Sequence, residues 1–107
     1  MIRPVAFAIA LMLANGPVSA QDWRDTATEL VIQEKSVVDD MFTQRISLWV
    51  SMLDDGTRRD GFASYLCMVL FDAGMQPGDF VVIKIWDAAA IAREEIKEIG
   101  RYECARK

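Results

Sequence analysis

Two cysteines set the strongest limit on this chain. Cys67 lies inside the apolar run YLCMVLF, and Cys104 lies in the closing RYECARK. A thiol so near a fraying terminus is a liability unless it is tied down. Two cysteines allow one intramolecular pairing, Cys67 to Cys104. Whether it forms depends on the redox compartment, and the N-terminus speaks to that.

Residues 1–20 read MIRPVAFAIALMLANGPVSA. Arg3 supplies a short positive segment, and Val5 to Ala14 is unbroken apolar sequence. Asn15, Gly16 and Pro17 break the run, and Val18 and Ala20 stand where a signal peptidase wants small residues, just before Gln21. This is the layout of a secretory signal peptide. A buried first helix and an uncleaved anchor are the alternatives. The apolar stretch is ten residues long, well short of the ~20 that span a bilayer. No cysteine adjoins the cleavage point, which disfavours a lipid-anchored lipoprotein.

Export makes a Cys67–Cys104 disulfide the expected state. Closing so long a loop is worth roughly 3–4 kcal/mol in the chain-entropy model, and a small domain often needs such a staple. A redox pair is the rival reading. It lacks a C-x-x-C spacing and any feature that depresses a thiol pKa. An intermolecular or free thiol is the third.

Residues 21–107 then form one small domain, and loss of Arg3 moves the net charge from −4 to −5. An acidic chain is a poor ligand for nucleic acid or anionic lipid, since both need basic patches. No stable membrane anchoring is expected after signal cleavage.

Along the mature chain, Ala27, Leu30, Val31, Val37, Val38, Met41 and Phe42 fit a helical stripe over about 26–42. The β-branched LVI and VV segments favour strands instead, so a strand pair is the alternative. RISLWVSML alternates, with Ile46, Leu48, Val50 and Met52 on one side, and reads as a half-buried strand. Trp49 is the large residue on its polar side, suited to packing under a loop or the N-terminal segment. DDGT is a turn, and Thr57 can cap a helix running to Gly74. FVVIKIW reads as a central strand. Asp87 caps a closing helix with its apolar stripe at Ala88, Ile91, Ala92, Ile96 and Ile99. The expected fold is a small two-layer α+β domain: a strand–helix–strand–helix core, preceded by an N-terminal helix or strand and stapled by one disulfide. The bridge would then join two neighbouring helices.

The sequence has no histidine, which removes the commonest general base and most zinc sites. The adjacent Asp54 and Asp55 lack the spacing of an aspartyl-phosphate loop and of a 12-residue calcium loop. Arg58 and Arg59, at a helix start, form a candidate anion site, although Asp54, Asp55 and Asp60 can neutralise them. No catalytic residue, metal or cofactor is assigned. The functional expectation is a periplasmic or secreted, non-enzymatic module that binds an envelope or extracellular protein, with Trp23, Trp49 or Phe80 as an aromatic anchor. The alternatives are an acidic, inhibitor-like module against a cationic secreted enzyme, and a small-ligand or anion binder at Arg58 and Arg59.

Intact mass of the exported protein tests the compartment. It should start at Gln21 and alkylate only after reduction; retention of residues 1–20, or free alkylation of both thiols, would refute the export reading.

Overall fold

The computed structural model describes residues 22–107, so the signal peptide read over 1–20 lies outside the described residues. Helix α1 (Trp23–Val31) begins where the Asp22 carboxylate accepts a hydrogen bond from the Arg24 N–H at 3.0 Å. That bond satisfies one of the unpaired donors of the first turn. Ala27 and Val31 are buried. The polar run Gln33–Ser36 then offers the stripe no apolar position for a full turn, and the helix ends. The β-branched pair Val37-Val38 opens strand β1 (Val37–Gln44). The helix expected over 26–42 is therefore two elements, a helix and a strand.

Strand β2 (Ser47–Met52) pairs antiparallel with β1, Phe42 opposite Leu48 and Met41 opposite Trp49. Leu48, Val50 and Met52 point into the core as the alternation requires. Ile46 does not join them: it precedes the strand and is exposed, while its carbonyl accepts from Val82 N–H at 2.8 Å.

Helix α2 (Asp60–Ala73) starts later than Thr57 suggested. The Thr57 N–H and hydroxyl both donate to Asp55, at 3.0 and 2.6 Å, so Thr57 closes a turn rather than capping a helix. The far end is as expected. Gly74 takes φ 117°, a left-handed conformation that suits glycine, and its N–H reaches back to the Leu70 and Phe71 carbonyls. Strand β3 (Phe80–Asp87) lies parallel to β2, with Leu48 beside Ile83 and Val50 beside Ile85. Asp87 caps as expected, accepting from Ala89 N–H at 3.1 Å, but helix α3 spans only Ala88–Ala92.

Strand β4 (Glu98–Ala105) then pairs antiparallel with β3, giving the order β1-β2-β3-β4. This corrects the long closing helix. Gly100, Tyr102 and Cys104 alternate with Arg101 and Glu103, a period-two run beneath the helical spacing of the isoleucines. The exposed edge of β3 supplies the backbone partners that decide between the two patterns.

Both longer helices cover one face of the sheet. Ala27, Val31, Ala63, Leu66 and Leu70 meet Leu48, Val50, Ile83 and Ile85 in a single core. The Cys67–Cys104 disulfide is present, with an S–S distance of 2.02 Å and Cα atoms 5.4 Å apart. It ties α2 to strand β4, not one helix to another, because the segment carrying Cys104 is extended. A disulfide of this kind belongs to an oxidising compartment.

Of the described glycines, Gly100 is the most closely approached. A Cβ there would lie 2.6–2.7 Å from Arg59 backbone and Cβ atoms, and Arg59 N–H donates to the Ile99 carbonyl at 2.7 Å. Backbone cannot swing aside as a flexible side chain would. Gly100→Ala should cost about 2–3 kcal/mol in urea unfolding. Gly61→Ala, where an added Cβ meets nothing within 4 Å, should change stability by under about 1 kcal/mol. Equal effects would remove the close approach as the cause.

Candidate functional site

Strand alternation sends Met41, Trp49, Ser51, Lys84 and Trp86 to the sheet face opposite α1 and α2. The register sets Trp49 beside Lys84 and Ser51 beside Trp86. Trp49 and Trp86 are thus diagonal neighbours, and their rings lie 4.7 Å apart between centroids at an interplanar angle of 53°. The packing expected for Trp49 is under a loop or the N-terminal segment; its ring also meets Trp86 of the neighbouring strand. The segment after β3 curls over the same face and brings Ile91, Glu94, Glu95 and Ile96 to it. With Met41, Trp49, Ser51 and Trp86, but not Lys84, they line an open cleft of about 430 Å³.

The cleft has an apolar floor and an acidic rim. Met41, Ile91 and Ile96 are 58, 43 and 67% exposed, too much apolar surface to be core. Asp39, Glu94 and Glu95 supply carboxylates, and none of the lining residues is basic. Asp39 accepts from the Asp40 N–H at 2.8 Å, and Glu95 pairs with Arg93 at 3.2 Å. Glu94 holds φ 62°, a left-handed backbone that costs a non-glycine residue about 1 kcal/mol. Trp86 is 8% exposed, as a core residue would be, yet its indole N–H is buried with no acceptor. A donor left unpaired in this way costs about 1–3 kcal/mol.

Asp40 also borders the cleft, but its place opposite Val50 turns it to the helix side, near Thr28 and Ile32 of the α1 segment. One of its carboxylate oxygens is buried without a partner. Burial, and then the charge of Asp39, push its pKa up to about 6.

Arg58 and Arg59 stand at the start of α2, as expected, and both meet carboxylates. Arg58 donates twice to Asp60, at 2.9 and 3.2 Å. Arg59 donates to the Leu53 carbonyl at 3.0 Å and lies 3.5 Å from Asp55. The Asp60 carboxylate also accepts the Arg101 N–H at 2.8 Å. An anion there would have to displace Asp60 and Asp55. Asp54 accepts from Lys97 at 2.7 Å and from Gly56 N–H at 2.9 Å, bonds that hold its carboxyl below the usual range. Trp23 packs edge-on against Phe42 with centroids 6.1 Å apart, and Phe80 is 38% exposed at the start of β3.

Sequence reasoning singled out Trp49 by its place on a polar face. It missed Met41, Asp39, Glu94 and Ile96. The first two lay within an expected helix, and the last two faced solvent or core in another. No protein-family model, curated protein or solved structure matches this chain. Among the described residues no helix is long and apolar enough to cross a membrane.

The raised Asp40 pKa has a definite sign. The folded protein holds a proton that the unfolded chain releases near its ordinary 3.8, so stability falls as pH rises to about 6 and is then level. Asp40→Asn should match the parent near about pH 3.5 and exceed it in urea midpoint above about pH 6. A constant offset across that range would show that Asp40 titrates normally.

Proposed function

We propose that this protein is a non-enzymatic, exported binding module, periplasmic or secreted, that docks a partner protein on the sheet face opposite α1 and α2. The observation that carries the reading is the Trp49–Trp86 pair, set between the exposed side chains of Met41, Ile91 and Ile96. Aromatic and methionine side chains in a concave, partly dry site are what protein interfaces concentrate at their centres. A domain this small gains nothing in its own stability by leaving those groups outside the core. The leader-like residues 1–20 and the disulfide support the extracytoplasmic location. The chemistry on hand supports binding rather than catalysis. The sequence has no histidine, and the Asp54, Asp55 and Asp60 carboxylates are engaged in turn and ion-pair bonds.

The acidic rim favours a basic partner. An inhibitor-like module facing a cationic secreted enzyme would present the same surface, so the two readings differ in the partner and not in the site.

Site-specific photo-cross-linking in the native host tests the surface. A photoreactive residue at Met41 or Ile96 should yield one discrete heavier species, lost when Trp49→Ser is added. The same residue at Arg58, which lines a separate hollow, should not. Equal capture from all three positions would sink the assignment.

A further inference from the structure

We propose that the cleft seats an arginine side chain of that partner. The guanidinium would lie against the Trp49 indole, with its N–H groups on the carboxylates of Asp39 and Glu94. The inference rests on the protein-docking reading above and adds the chemistry of the occupant.

Two observations lead to it. First, the lining carries carboxylates from two separate segments, Asp39 on β1 and Glu94 and Glu95 after α3, and no basic group to balance them. Glu95 is partly answered by Arg93, whereas Asp39 and Glu94 line the cleft from separate segments and neither forms a salt bridge among the described residues. Lys84 stands beside Trp49 on β3 and Arg101 beside Lys84 on β4, on the same sheet face, but neither lines the cleft, and Arg101 lies 3.8 Å from Glu98. A partner's cation is therefore favoured at the β1 and α3 side. Second, the floor is a pair of indoles, whose π faces attract cations, arginine most often.

The chain already uses this unit once. Arg24 lies 4.5 Å from the Trp23 ring centroid, and its guanidinium meets Asp22 at 3.3 Å. Among the described residues no cation lies over Trp49 or Trp86. Arginine suits the site better than lysine. Its planar group stacks on a ring and still offers a fork of donors to carboxylates, while an ammonium is a compact, strongly hydrated point charge.

Nitrogen-edited NMR of the three tryptophan indole N–H signals tests this on the mature protein. The probes are capped Gly-Arg-Gly, its lysine form and its citrulline form, which is neutral with nearly the same shape. The arginine peptide should shift the Trp49 and Trp86 signals saturably and leave Trp23 unmoved. Citrulline and lysine forms should bind at least fivefold more weakly. Asp39→Asn combined with Glu94→Gln changes only exposed rim groups, so the fold is retained. It should weaken the arginine peptide at least fivefold and leave citrulline unchanged. Equal binding of arginine and citrulline forms would overturn the cation, and equal binding of arginine and lysine forms would overturn the guanidinium. No indole shift with any peptide, while cross-linking from Ile96 persists, would refute the arginine occupant and leave protein docking standing. Loss of both signals would refute both.

Discussion

Parallel pairing of β2 with β3 is the constraint from which the other arrangements follow. Leu48 beside Ile83 and Val50 beside Ile85 make the dry centre of the sheet, each side chain contributing roughly 1.5–3 kcal/mol on burial. Parallel neighbours cannot be joined by a tight turn; the chain must cross over a face of the sheet. Residues 53–79 make that crossing, and α2 within them closes the core. Helix α1 packs beside α2 on the same side, so the apolar stripes of both are spent on one face. Among the described residues the opposite face receives no long helix and is covered only at one end, by α3 and the turn that follows.

The parts of this fold legible in the sequence are those whose signals are local. The alternation in β2, the continuous apolar run of β3, the Asp87 cap and the Gly74 terminus each lie within a few residues of what they determine. The last strand was not legible for the same reason. Ala88, Ile91, Ala92, Ile96 and Ile99 keep helical spacing, and nothing within that window says that the edge of β3 lies waiting for partners. Gly100 is the one residue whose identity reports the strand, and it does so through Arg59, a neighbour far away in sequence. The cleft was hidden likewise. Met41, Trp49, Trp86 and Ile96 come from four segments, and only the register of three strands brings them together.

The two edges of the sheet differ from the face between them. Strand β1 carries Asp39 and Asp40 and strand β4 carries Arg101 and Glu103, charges that discourage another strand from adding to either edge. Association is thereby directed to side chains on the broad surface and away from backbone ladders. Glu94 is held there in an unfavourable backbone conformation, and the compensation comes from the turn around it: Glu94 N–H donates to Ile91 O and Glu95 N–H to Ala90 O, each at 2.8 Å.

The disulfide also determines how this domain would carry tension. Cys104 lies near the end of the chain, and its partner Cys67 is in the middle of α2. A pull on the C-terminus is therefore passed through a covalent bond to the central helix, and neither β3 nor β4 can be peeled off in series. The N-terminal side has no such link: α1 and β1 are retained by noncovalent contacts, packing, hydrogen bonds and the Arg45–Asp22 ion pair among them. Stretched between its two ends, the molecule would yield first at α1 and β1. The strand bearing Asp39 and Met41 would leave before the strands bearing Trp49 and Trp86, so the acidic side of the cleft would open while its aromatic floor stayed in place.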